Sequence, residues 1–206
     1  MNQPGAFNAG GRLAVLHRRG VRLEWITLGW NVVGVLVLAV GAVRASSVAL
    51  AGFGLDSLIE IGASTVVLWE LSGTGPTRQR WALRLIGAAF LALAAYLLVQ
   101  SVVALVTGHR AEPSPAGMVW TAVTAAVMFA LAAGKTRTGR EMGNSVLATE
   151  GRITFIDGLL ATAVLVGVAA NAAAGWWWAD PVAGLVIVYY ALTEGRHVFT
   201  TDLGAG

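Results

Sequence analysis

The sequence contains no cysteine and few charged residues, and each shortage excludes a class of protein. Without cysteine the chain can form neither disulfides nor a thiolate metal site, so any bound metal must be held by oxygen or nitrogen ligands. Charged residues make up 12% of its 206 residues, against roughly 25% in an ordinary soluble domain. Hydrophobic residues make up 56%, and this composition predicts an all-α protein that crosses a membrane several times.

Long apolar runs divide the chain into six predicted transmembrane helices. They cover residues 21–43, 46–71, 81–106, 118–134, 151–174 and 181–199. Most reach the roughly 20 residues that a helix needs to cross a bilayer. We therefore predict a loose cytoplasmic tail over 1–20, a transmembrane domain over 21–200, and a short tail over 201–206 without a cytoplasmic domain. The polar stretch 135–152 is predicted to be a linker whose later part could form an interfacial helix.

Basic residues are distributed unequally between the two predicted sides of the membrane. One side carries only Arg44 and Arg110. The other carries Arg12, Arg18, Arg19, Arg22, Arg78, Arg80, Arg84, Lys135, Arg137, Arg140, Arg152 and Arg196. Since Lys and Arg accumulate in cytoplasmic loops, both termini are predicted to be cytoplasmic. We expect a multi-pass protein of the inner cell membrane, surrounded by lipid, with no nucleic-acid partner.

Two carboxylates lie near the middle of the second apolar run. Asp56 and Glu60 are four residues apart, so on a helix they share one face, about 6 Å apart along the axis, and can reach one cation. An acid inside a membrane is typical of an ion or proton pathway. The alternative is a salt bridge to a neighbouring helix, but no Lys or Arg is predicted deep inside another apolar run.

A third acid, Asp157, lies within the fifth predicted helix. That helix runs opposite to the second, which could place Asp157 at a depth comparable with Glu60. Three facing carboxylates would repel one another strongly without a cation or protons between them. Hard oxygen ligands suit divalent cations, so Asp56, Glu60 and Asp157 are predicted to hold one, together with water or another side chain.

Asn31 and Asp180 are given weaker interpretations. The side-chain oxygen of Asn31 in the first helix could complete the coordination, although a buried Asn more often forms interhelical hydrogen bonds. Asp180, followed by Pro181, is predicted to be the N-cap of the last helix.

The stretch SSVALAGFGLDSLIEIGAS resembles the second helix of the cation diffusion facilitators. The residues from Ile153 to Asp157 and the run WWWADPVAGLVIVYYAL are similar to that family's fifth and sixth helices. The resemblance implies a homodimeric, proton-coupled exporter of zinc or a similar metal, with one tetrahedral site per protomer formed by the second and fifth helices. The resemblance is strongest to the small six-helix members of the family, which have no soluble domain.

The sequence departs from the family pattern at one ligand position. The expected His or Asp is replaced by Ile153, and His17, His109 and His197 all lie outside the predicted spans. Thr154 is adjacent to the lost position. Glu150 lies two turns from Asp157 on the same face of the helix. It could be an accessory ligand, or an ordinary first-turn acid that is favoured by the helix dipole and paired with Arg152 or Arg140. A second metal site in the loop between the second and third helices is not expected.

These features predict a secondary transporter rather than an enzyme. We expect it to export a divalent transition metal, zinc foremost, in exchange for protons and by alternating access, with the transported cation as its only metal and no cofactor. Three alternatives are a degenerate relative that binds a metal or partner without transport, a transporter that prefers Mn, Fe or Co, and an antiporter of small cations or drugs. The all-oxygen ligand set favours harder ions than zinc.

Overall fold

The protein is a bundle of six α-helices in a computed structural model that describes residues 4–71 and 76–203. The helices are α1 (Pro4–Ala45), α2 (Val48–Leu71), α3 (Pro76–Thr107), α4 (Pro115–Met142), α5 (Ser145–Ala174) and α6 (Ala179–Leu203). These described residues contain no β-strand, which confirms the predicted all-helical fold. The predicted break after the second helix falls partly on residues 72–75, and the predicted C-terminal tail partly on 204–206, which lie outside the described residues.

Five helices contain a stretch long and apolar enough to cross a membrane. These stretches are Gly11–Ala45, Val48–Val66, Gly87–Thr107, Pro115–Met142 and Glu150–Ala174. The remaining helix, α6, has 25 residues, which extend about 38 Å at about 1.5 Å per residue. That length exceeds the roughly 30 Å of a hydrocarbon core. The chain is therefore a multi-pass membrane protein.

Two segments that were predicted to be irregular are helical. α1 begins at Pro4, so most of the predicted loose tail extends the first helix. α4 continues to Met142 and α5 begins at Ser145, which leaves a connection of two residues in place of the predicted linker. Both predictions were wrong because polar and basic residues were taken as helix ends, whereas Arg, Lys, Glu and Met favour helices.

The α4–α5 turn is closed by its own two residues. Gly143 has a left-handed backbone, with φ of 67°, which glycine adopts without steric cost. Its N–H donates to Arg140 O, while the Asn144 side chain accepts from Leu147 N at 2.9 Å and caps α5. The two helices consequently run antiparallel from this turn and form the most extensive helix pair of the bundle.

Glycines allow α4 and α5 to approach backbone to backbone. A Cβ at Gly139 would lie 2.5 Å from the backbone N of Ala148, and one at Gly151 would lie 2.6 Å from the backbone N of Thr136. Neither backbone can move without separating the helices. This contact fixes the position of α5, and with it the position of Asp157.

We expect Gly139→Ala to destabilise the protein by roughly 1 to 3 kcal/mol, because the added methyl group overpacks the α4–α5 contact. Gly29→Ala is the matched control, since a Cβ there meets nothing within 4 Å. Alanine favours a helix over glycine by about 1 kcal/mol, so the control should melt at or above the wild-type temperature. A melting temperature for Gly139→Ala equal to that of Gly29→Ala would contradict the close contact.

Three connections meet at one end of the bundle, which we call the loop end. These are residues 46–47, 108–114 and 175–178. The N–H of Glu112 donates to Ala45 O at 2.8 Å, and Asn171 Nδ2 donates to Ala111 O at 2.7 Å. The α4–α5 connection lies at the opposite end, which we call the turn end.

The loop end contains the two basic residues that the charge distribution places outside, Arg44 and Arg110. Both described chain ends lie at the turn end, because six helices return the chain to its starting side. We expect tags at either terminus to be protected from external protease in intact cells and to be cleaved once the membrane is opened. Cleavage of either tag in intact cells would refute this orientation.

The start of α2 is held by Asp180 from α6. Asp180 is buried, and its carboxylate accepts hydrogen bonds from Ser47 Oγ at 2.5 Å, Val48 N at 2.9 Å and Ala49 N at 3.4 Å. Ser47 Oγ in turn accepts from Leu50 N at 3.1 Å. The predicted role of Asp180 as the N-cap of α6 was wrong, because α6 begins one residue earlier and its carboxylate satisfies the first-turn N–H groups of α2 instead.

Apart from Asp180 and several Ser and Thr side chains, the bundle interior is largely apolar towards the loop end, whereas most of its other buried charges lie towards the turn end. Between the membrane acids and the loop end lie Leu38, Leu50, Phe53, Leu97, Leu160, Val164 and Ile187. Towards the turn end the buried residues include Glu24, Lys135, Thr138 and Glu150. Since burying a charge is costly without a partner, the buried charges of the turn-end half are candidates for a functional site.

Candidate metal site

The carboxylates of Asp56 and Glu60 face the interior of the bundle. Both belong to α2, where the spacing of four residues places them on one face. Their residues are 1% and 3% exposed. Glu60 lies twelve residues from the start of α2 at Val48, so it is near the middle of the helix.

Asp157 on α5 lies beside Glu60, and we call these two residues and Asp56 the acid cluster. Asp157 is 3% exposed and lies twelve residues from the start of α5 at Ser145. Its carboxyl group is within hydrogen-bonding reach of that of Glu60, and Asp56 is close enough to interact electrostatically with both. The structure therefore brings together the three acids that the sequence singled out.

Most oxygens of the acid cluster have no hydrogen-bond partner. Buried oxygens without a donor are Asp56 Oδ1, Glu60 Oε1 and Oε2, and Asp157 Oδ1 and Oδ2. Burying a carboxylate without a partner costs several kcal/mol. The cluster thus requires cations or protons from outside the chain.

Asp56, Glu60 and Asp157 lie close together, but their side chains are not arranged as the ligands of a metal ion. Within residues 4–71 and 76–203, no group of three or more His, Asp or Glu side chains is arranged so that it could hold a metal ion. Coordination of a metal by Asp56, Glu60 and Asp157 stays a prediction.

Lys135 is fully buried, although the sequence placed it in a polar linker. Its ammonium lies 3.1 Å from Glu24 Oε2, 3.2 Å from Glu150 Oε1 and 3.2 Å from Thr154 Oγ1. Lys135 lies just after the apolar run 118–134, as the sequence indicates, but α4 continues beyond that run and buries it. In the described part of the chain, however, its hydrogen bonds go to these three residues and not to the acid cluster.

Glu150 and Thr154 therefore contact Lys135 in this structure. Both are buried on the face of α5 that carries Asp157, as the spacing predicted. The suggested pairing of Glu150 with Arg152 or Arg140 is replaced by its ion pair with Lys135. Their role as metal ligands is a prediction that this arrangement leaves untested, and Ile153 between them is half-buried.

Asn31 is buried on α1, and its amide nitrogen has no hydrogen-bond partner. Within the described residues, no hydrogen bond joins it to the acid cluster. Its predicted role as a further ligand is likewise untested.

Tyr190 on α6 is a site residue that the sequence reasoning missed. It is buried, its hydroxyl has no partner, and it interacts electrostatically with Asp56, Glu60 and Asp157. A phenol carries an O–H donor, but in this structure the Tyr190 hydroxyl makes no hydrogen bond to the three carboxylates. The adjacent Tyr189 is 74% exposed, and only the rotation of α6 distinguishes the two.

A bundle of membrane helices with unpartnered acids at its centre is typical of proteins that move cations or protons across a bilayer. A model of the cation efflux transmembrane domain matches residues 84–204, more than half of the chain. The chain belongs to this family, the cation diffusion facilitators, which confirms the resemblance seen in the sequence. A search of curated proteins finds no match.

The matched residues contain Asp157 and Tyr190, whereas Asp56 and Glu60 precede them. Members of the family are transporters rather than enzymes. The protein is accordingly a membrane protein of the cation efflux class.

Proposed function

We propose that this protein exports a divalent transition-metal cation, zinc foremost, from the cytoplasm in exchange for protons. The observation that carries the proposal is the set of five buried, unpartnered oxygens on Asp56, Glu60 and Asp157. A divalent cation would neutralise most of the charge of three carboxylates, and protons would do so when the cation leaves.

The surroundings of the acid cluster support alternating access. Apolar side chains such as Phe53, Leu160 and Ile187 fill the bundle towards the loop end. The ion pairs of Lys135 join α1, α4 and α5 towards the turn end. A cation held between these two barriers would reach either side only after one barrier opens.

The ligand chemistry bears on which metal is carried. The acid cluster offers only oxygen, and Ile153 stands where relatives carry a ligand. Imidazole and thiolate are the ligands that favour zinc, whereas carboxylates also suit Mn²⁺ and other harder ions. Zinc, which generally binds such sites more tightly than Mn²⁺ or Fe²⁺, is the first candidate, and Mn, Fe or Co is the second.

The homodimer and the location in the inner cell membrane belong to the same proposal. The homodimer rests on the family resemblance, and the orientation with cytoplasmic termini rests on the placement of twelve basic residues on one side.

The proposal is tested with purified protein in liposomes loaded with a pH indicator. We expect zinc uptake to be accompanied by proton release from the lumen, and Mn²⁺, Fe²⁺ and Co²⁺ to be compared at equal concentration. Protein-free liposomes and the exposed-acid variant Glu112→Gln serve as controls. Binding of metal without flux would indicate a non-transporting relative. Proton exchange with an organic cation in the absence of metal would indicate a different antiporter.

A further inference from the structure

The ammonium of Lys135 lies in a pocket of three oxygens, which we call the lysine cradle. The cradle consists of Glu24 from α1 with Glu150 and Thr154 from α5. Its N···O distances of 3.1, 3.2 and 3.2 Å lie at the long end of the hydrogen-bond range. Lys135 and Glu24 are both 0% exposed, so the group is shielded from bulk solvent.

The lysine cradle contains two carboxyl groups but only one ammonium group. Two carboxylates face one ammonium, and Glu24 Oε1 is buried without a hydrogen-bond partner. Oxygens of carboxylates and hydroxyls are ligands of hard cations. Two carboxylates and a hydroxyl thus surround one cation, which the chain itself supplies.

The lysine cradle is adjacent to the acid cluster on its turn-end side. Glu60 is close enough to interact electrostatically with Lys135 and Glu150. Ser64, one helical turn after Glu60, lies beside Glu24. An ion that moves between the acid cluster and the turn end would therefore pass this group.

We propose that Glu24, Glu150 and Thr154 form a second cation site, which the Lys135 ammonium occupies in this conformation. A divalent cation takes the site when the ammonium leaves. The proposal relies on the proposed function only for the identity of the cation, since a second site is defined by its own residues. A purely structural ion-pair network would bind no metal when its lysine is removed.

The test is a count of bound Zn²⁺ per chain in the purified full-length protein after equilibrium dialysis. We expect Lys135→Ala to bind one more zinc than the wild type and to show a larger rise in melting temperature on zinc addition. Arg137→Ala removes an exposed cation two residues away on α4 and should leave the count unchanged. Lys135→Ala combined with Glu24→Gln restores the wild-type net charge but removes a ligand, so the extra zinc should disappear.

Lys135→Gln is the second variant, because its amide can hydrogen-bond to both carboxylates and preserve folding. If Lys135→Ala folds only with zinc present, the proposal is supported. Folded Lys135→Ala or Lys135→Gln with the wild-type zinc count would overturn it, as would an extra zinc that survives both Glu24→Gln and Glu150→Gln. A wild type without flux, together with an extra zinc in Lys135→Ala, would refute the proposed function and leave the second site standing.

Discussion

Replacing Asp157 by asparagine is expected to reduce metal flux on the order of 100-fold or more. Residues that only support a metal ligand typically cost 10- to 100-fold when removed, so the loss of a direct ligand should reach or exceed that range. Two carboxylates would remain to neutralise and orient a divalent ion. The same loss is expected for Asp56→Asn and Glu60→Gln, because the three acids share one cluster.

The stability of metal-free Asp157→Asn should be equal to or higher than that of the wild type. Neutralising one member removes repulsion between buried carboxylates, and an asparagine amide at this position can still donate a hydrogen bond to Glu60, which lies within reach. The measurement is thermal melting with and without metal, alongside flux in liposomes. Glu112→Gln, which neutralises an exposed acid in the loop before α4, controls for the change of net charge. An Asp157→Asn protein that melts earlier without metal yet still transports would refute the shared site.

Replacing Asp180 by alanine is expected to destabilise the protein by roughly 2 to 5 kcal/mol. The substitution leaves Val48 N, Ala49 N and the Ser47 hydroxyl without their acceptor, and each unsatisfied buried donor costs about 1 to 3 kcal/mol. For a chain of this size, that corresponds to a fall in melting temperature of roughly 5 to 15 °C.

Comparing Asp180→Asn with Asp180→Ala separates the effect of losing hydrogen-bond acceptors from the effect of losing side-chain volume. The one remaining side-chain oxygen of Asp180→Asn can still accept from α2, so we expect its melting temperature to lie between those of the wild type and Asp180→Ala. Flux should fall with stability in this series, because α2 carries Asp56 and Glu60. If Asp180→Ala melted at the wild-type temperature, the start of α2 would need no hydrogen-bond partner from α6.

The helical fold and the acid cluster could be predicted from the sequence because both depend on local patterns. A bilayer requires long apolar helices whose backbone hydrogen bonds are satisfied internally. The long apolar runs of the sequence show where these helices lie. The spacing of Asp56 and Glu60 places them on one face of any helix. Asp157 was assigned to the same depth from the direction of α5 alone, and the structure places it beside Glu60.

The partners of the other buried charges could not be predicted in this way. Lys135 follows an apolar run and precedes several polar residues, which is the pattern of a span end. It is buried because glycines draw α4 and α5 together and because α1 presents Glu24, 111 residues away in sequence. A local pattern cannot show such a contact.

The sequence by itself determined that the chain spans a membrane, how many helices it uses and which α2 face bears acids, because helix formation and hydropathy are local. Only the tertiary structure decided that Asp180 holds α2, that Tyr190 rather than Tyr189 lies buried near the acids, and that Lys135 forms ion pairs with Glu24 and Glu150. Those outcomes depend on the rotation and distance between packed helices, and a buried polar group is stable only where another helix supplies its partner.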